Sequence, residues 1–185
     1  LAAGALFVTC AGSAVADAHQ ALLLEHVINL PGAAVFPESL SSGPDGSFYV
    51  GSVHGGVLKV TDGKASQWIA PGAFGTRSIF GVLVDAAHRR LWLCSNDLSP
   101  IGVTIASDRS GSWLVGFDLA TGQGRAAHRL PDPHSFCNDM AVAADGSVYV
   151  TDTNIHVLRL RPGATTLETW LSDRRFMQGK GGGLD

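Results

Sequence analysis

Apolar and polar residues alternate with a period of two in short runs broken by Gly-containing turns, and no long stretch keeps apolar residues at the helical spacing. The clearest run is Phe48-Tyr49-Val50, entered from the turn Asp45-Gly46-Ser47. Val148-Tyr149-Val150 follows Asp145-Gly146-Ser147 in the same way, and Leu91-Trp92-Leu93 follows His88-Arg89-Arg90. Asp-Gly suits such a turn because glycine reaches positive φ without steric cost and aspartate hydrogen-bonds its own backbone. Each unit continues into a second alternating strand, at 57–60, 113–119 and 156–160. After a further turn a more polar strand closes the unit, at 66–69, 126–130 and 167–171.

An innermost strand ahead of each turn completes a four-stranded meander. Glu38 and Asn138 each lie seven residues before the Asp of an Asp-Gly turn, and 38–50 aligns with 138–150 without a gap. Units of roughly 40 to 60 residues on this plan have the scale of a propeller blade. The same spacing marks each innermost strand by a key residue and an apolar residue two places on: Glu38/Leu40, Gly81/Leu83, Asn138/Met140 and Gly182/Leu184. The expected fold is all-β, a β-propeller with about three blades and the start of a fourth in residues 36–185, after a lead-in segment at 19–35. Propellers close with roughly four to eight blades, so the remaining blades are expected to lie beyond this sequence, with a second copy completing the ring as the alternative. The longest insertion, 96–112, interrupts the second blade. It reads as a loop that lines a site on one face, or as a mobile surface loop.

Composition narrows the function. At 45% hydrophobic and 16% charged, the 185 residues suit a soluble globular domain. A formal net charge of -3 gives no footprint for nucleic acid, and Arg89-Arg90 and Arg174-Arg175 read as solvated charges. Residues 1–18 are small and apolar and end in an A-x-A pattern, so they read as a signal peptide truncated at its start. A membrane anchor needs roughly 20 apolar residues in succession; the expectation is a periplasmic or secreted protein with no membrane association after leader cleavage. Removing the leader leaves Cys94 and Cys137 in a compartment where a disulfide is permitted. Two small buried hydrophobes in strands are the other reading of that pair.

In a propeller the innermost strands run along the central channel, so Glu38 and Asn138 are expected to meet there. A carboxylate and an amide oxygen are hard ligands suited to Ca²⁺ or Mg²⁺ rather than zinc. Polar capping of strand ends, or a water-filled channel, is the plainer alternative. Asp139 either touches a ligand or hydrogen-bonds the neighbouring strand. His54, His156 and His134 are acid or base candidates near a channel mouth, though each also reads as a surface or turn histidine. Gly179-Lys180-Gly181-Gly182-Gly183 lacks the spacing of a phosphate-binding loop, and no Gly-x-Ser-x-Gly elbow occurs.

The strings Phe36-Pro37-Glu38-Ser39-Leu40, Asn138-Asp139 with Asp145-Gly146-Ser147-Val148-Tyr149-Val150-Thr151-Asp152, and Gly182-Gly183-Leu184-Asp185 resemble the senescence-marker-protein/gluconolactonase/luciferin-regenerating-enzyme-like family. The resemblance implies a six-bladed propeller with a divalent metal, calcium being the expected ion, in its channel, and it covers about the first half of such a domain. By that similarity Glu38 matches the family's first metal-binding Glu, and Asn138 matches the Asn of its Asn-Asp motif at the metal and substrate site, beside Asp139. Gly182 stands where the family has an Asn, which removes one side-chain ligand. The family's proposed base, a later Asp, would fall beyond Asp185. The implied activity is that of an exported, metal-dependent hydrolase acting on a small-molecule sugar lactone or related cyclic ester. The alternative, favoured by Gly182, is a non-catalytic secreted propeller that binds a ligand or protein.

Overall fold

The computed structural model describes residues 27–32 and 35–177. The expected leader at 1–18, part of the lead-in, and the start of a fourth blade at Gly182 lie outside the described residues. Strands β1 (Pro37–Ser42), β2 (Phe48–Ser52), β3 (Val57–Thr61) and β4 (Lys64–Ile69) form one antiparallel sheet. β5 (Ser78–Asp85), β6 (Arg90–Asn96), β7 (Ser112–Asp118) and β8 (Gly124–Arg129) form the second, and β9 (Cys137–Val142), β10 (Val148–Asp152), β11 (His156–Leu160) and β12 (Glu168–Ser172) the third. Each sheet pairs its strands in chain order, so each meander expected from the alternation is one blade. Helical structure among the described residues is confined to short 3-10 turns, and no helix there is long and apolar enough to cross a membrane.

The blades pack face to face, which explains the uneven purity of the alternation. Leu91 and Leu93 on β6 join Tyr49, Val57 and Ile69 of the first blade, while Trp92 and Cys94 join Met140, Val148 and Leu158 of the third. The middle blade is covered on both faces, so β6 is apolar on both sides and buried from Leu91 onward. The other face of the first blade is covered by the lead-in, through Leu30 and Val35 against Val50, Leu58 and Val60. On the far face of the third blade Tyr149 meets Trp170 edge-on, with ring centroids 4.9 Å apart.

The seam between the second and third blades is also covalent. Cys94 on β6 and Cys137 on β9 form a disulfide, with Cα atoms 5.1 Å apart and both side chains fully buried. Of the two readings of this pair, the bonded one is realised. Closing a loop with a sequence separation of 43 residues stabilises the fold by about 4 kcal/mol through the lost entropy of the unfolded chain.

The Asp-Gly-Ser turns are built as their residue types demand. Asp45 accepts from the Ser47 hydroxyl and from its N–H at 3.1 Å, and Asp145 accepts from the Ser147 N–H at 2.9 Å, with Gly46 and Gly146 at positive φ. Ser47's hydroxyl and N–H, then Lys59, hold the Asp45 carboxyl at about 2, below its ordinary 3.8. Hydrogen bonds from the Ser147 N–H and hydroxyl similarly lower Asp145. A depressed carboxyl contributes stability that is complete above its unfolded pKa and is lost as pH falls through its folded value. Unfolding midpoints in urea are therefore expected to fall as pH drops from about 4 to about 2, and Asp45→Asn is expected to flatten that slope. An unchanged slope in Asp45→Asn contradicts the assignment.

Candidate functional site

The innermost strands β1, β5 and β9 lie side by side, β5 between the other two. Each carries a β-bulge near its start: the register slips between Pro37 and Leu40, between Ile79 and Val82, and opposite Val150 and Asp152. A bulge sets two residues against one and re-aims their side chains. This is why consecutive residues, Glu38 with Ser39 and Asn138 with Asp139, line one polar concavity of about 220 Å³, completed by Gly81. Glu38 and Asn138, expected from the sequence to converge, line the same concavity, with Asp139 beside them.

One sequence expectation is corrected. Leu40 pairs with Val50, Met140 with Val150, and Val82 with Leu93, so the second-blade counterpart of Glu38 and Asn138 is Phe80, not Gly81. Phe80 packs edge-on against Phe136, with centroids 4.7 Å apart. Gly81 has a steric role: a Cβ there would sit 2.7 Å from the Asn138 carbonyl oxygen and 2.6 Å from Met140 Cε. Glycine lets β9 approach β5 and leaves the concavity open on the second blade's side.

Polar side chains fix the strand entries. Ser39 Oγ accepts from Val82 N–H at 3.1 Å and Ser41 Oγ from Val84 N–H at 3.0 Å, joining β1 to β5. Asn96, 1% exposed, donates its amide to Cys137 O at 2.8 Å and accepts from Cys137 N–H at 3.0 Å, one residue before Asn138. At equivalent second-strand ends, Ser52 donates to Val35 O, Ser95 accepts from Arg77 N–H, and the buried Asp152 accepts from Ser135 Oγ and Phe136 N–H. Asp139 exchanges backbone hydrogen bonds with Thr151 Oγ1. Its backbone meets the neighbouring strand, and the residue is part of the lining of the concavity.

The histidines are not brought to this site. His54 packs at a tilt against Phe36, with ring centroids 4.8 Å apart, His134 is exposed at a turn, and His156 lies on β11. The 96–112 insertion leaves β6 at the end where β5 begins, on the candidate-site face, yet contributes nothing to the concavity. It is anchored by Arg77, which pairs with Asp97 and donates to the carbonyls of Ile105, Ser107 and Arg109. Sequence spacing gave no signal for this role, because the partners are backbone atoms some thirty residues away.

Glu38, Asn138 and Asp139 supply hard oxygen atoms suited to a cation such as Ca²⁺. The second blade adds no side-chain oxygen there, and among the described residues no group of three or more His, Cys, Asp or Glu is placed to hold a metal. The fit is that of a partial oxygen shell, which the remaining coordination positions of calcium, filled by backbone carbonyls or water, would have to complete.

No protein-family model matches the sequence, and no curated protein matches it. Solved structures do. A gluconolactonase from Xanthomonas campestris aligns with a TM-score of 0.52 at 19% identity, over 75% of this chain and 48% of that one. A catalytically inactive virginiamycin B lyase from Staphylococcus aureus aligns with a TM-score of 0.59 at 13% identity, over 77% and 43%. The PQQ-bound aldose sugar dehydrogenase of Streptomyces coelicolor gives 0.50 at 16%, over 75% and 47%. The chain spans less than half the length of these proteins. At such identities the likeness shows the fold alone: a β-propeller of which about three blades are described.

If Gly81 and Asn96 set the approach of β9, Gly81→Ala is expected to cost about 1 to 3 kcal/mol by overpacking. Asn96→Ala is expected to cost about 3 kcal/mol by stranding a buried N–H and C=O. Urea denaturation under oxidising conditions measures both, and losses within about 0.5 kcal/mol, as at neutral surface sites, contradict the assignment.

Proposed function

We propose that this chain is part of an exported, gluconolactonase-like propeller hydrolase that opens sugar lactones or related cyclic esters. The observation that carries the reading is the concavity in which β1 and β9 place Glu38, Asn138 and Asp139 together. A fold shared with a gluconolactonase supports it, as does the sequence resemblance. Glu38 and Asn138 would hold the cation, with Ca²⁺ proposed, while Asn138 and Asp139 orient the substrate's polar groups. A calcium ion held there would supply Lewis-acid polarisation of the lactone carbonyl and would lower the pKa of an attacking water. Glu38 would bring negative charge to balance the cation, and the carboxylate of Asp139 would accept a sugar hydroxyl. The proton acceptor is assigned to no described residue. The disulfide supports an oxidising compartment, in line with the proposed leader at 1–18.

Phe80 in the second blade favours the second reading, a secreted propeller that binds a ligand or protein without catalysis. Calcium titration and lactone turnover separate the two. The lactonase reading predicts a calcium-dependent rise in Tm that Glu38→Gln weakens by about tenfold or more in calcium affinity, together with calcium-dependent hydrolysis of glucono-1,5-lactone. Calcium binding without turnover supports the second reading, and affinity unchanged in Glu38→Gln overturns the site.

A further inference from the structure

Inside the array each innermost strand lies against the blade before it: β5 against β1 and β2, and β9 against β5 and β6. Among the described residues no blade precedes the first and none follows the third.

The third blade repeats the face that the first blade buries under β5. Tyr49 pairs with Lys59 and Val57 with Ile69, and in the same register Tyr149 pairs with Arg159 and Val157 with Leu171. Trp68 and Trp170 each stand one residue earlier on the last strand, edge-on to the tyrosine. In the first blade Tyr49, Val57 and Ile69 are buried with Ile79 and Val82, and Trp68 packs against that cluster. In the third blade Trp170 is 51% and Leu171 40% exposed. Clustered apolar exposure of this kind marks an interaction surface.

The matching cover is carried by the same chain. Leu40 stands on β1 where Val82 stands on β5, and Phe48 on β2 where Leu91 stands on β6. Val82 and Leu91 are buried, whereas Leu40 is 64% and Phe48 42% exposed. The lead-in packs on Val50, Leu58 and Val60 and leaves this inner part of the face open. The side-chain shapes agree as well. β5 needs a glycine beneath it, because a Cβ on Gly51 would come 2.7 Å from Val82 Cγ2 and 2.8 Å from Ile79 Cγ2. The third blade has Thr151 at that place, and β1 carries Leu40 and Pro37 in place of Val82 and Ile79, each with one γ-carbon instead of two.

We infer that a second copy of this chain seats its β1 on the Tyr149–Trp170 face, head to tail, and that the reciprocal contact closes the pair. Head-to-tail interfaces form rings where the rotation closes, and twice three blades lies within the roughly four to eight at which propellers close. Glu38 of the second copy would then follow Asn138 around the channel and add a carboxylate to the partial oxygen shell. The contact itself does not depend on the lactonase reading.

Sedimentation of the full chain tests the pairing, and a dimer at micromolar concentration is expected. Leu40→Asp and Trp170→Asp, both at exposed positions, are each expected to weaken it about thirtyfold. Ile101→Asp, exposed on the 96–112 loop, is expected to leave it unchanged. A mixture of the Leu40→Asp and Trp170→Asp chains keeps one unaltered seam, so it is expected to associate more tightly than either variant alone. A monomer at every concentration overturns the inference and leaves the third blade's face to another occupant. A dimer that survives either substitution, equal weakening by Ile101→Asp, or no gain on mixing also overturns it. Loss in Trp170→Asp alone marks a face-to-face contact and overturns it too. Should either aspartate variant fail to fold, Leu40→Ser and Trp170→Ser are read by the same outcomes.

Discussion

The pair of hydrogen bonds between the Asn96 side chain and the Cys137 backbone is the interaction on which the arrangement turns. It joins β6 to the start of β9 inside a seam closed to water, where both amide functions are satisfied and neither has a solvent alternative. The Cys94–Cys137 bond lies in the same seam and reinforces it covalently. Asn138 is the next residue, so this clamp fixes where the third blade presents it. The Ser39 and Ser41 hydroxyls do the corresponding work between β1 and β5. Glu38 and Asn138 therefore reach one concavity through a chain of short polar contacts across two seams.

Much of the fold was legible because burial imposes the period of two. The middle blade is apolar on both sides of β6 since both of its faces are covered, and the Asp-Gly turns announce themselves by chemistry that only such residues supply. The site was legible only in part. Counting back from the second strand places Gly81 opposite Glu38, but the β5–β6 turn holds one residue more than its counterparts: Val84 pairs with Leu91, whereas Ser42 pairs with Phe48 and Val142 with Val148. Arg89 at φ 54 accommodates that turn. A single extra residue moves Phe80 into the key position and makes Gly81 a packing requirement. The bulges themselves leave no mark in the pattern, although they turn neighbouring residues toward a common space.

The long-range roles were the least readable. Arg77 holds the 96–112 loop through carbonyl oxygens, and any residue type offers a carbonyl. Trp92 read as a strand residue of the second blade and Arg90 as a solvated charge in the turn before it, and only packing of that blade against the third brings both to the lining of one cavity. Chemistry carried by spacing within one unit could be read from the chain; chemistry assembled between blades required the seam geometry.

The central claim is that Glu38 and Asn138 act as one cation site although they come from different blades. Calcium affinity measured by titration calorimetry in a double-mutant cycle of Glu38→Gln and Asn138→Ala tests it directly. Shared coordination predicts a coupling of about 1 kcal/mol or more between the two substitutions, whereas effects that add within about 0.3 kcal/mol would contradict it.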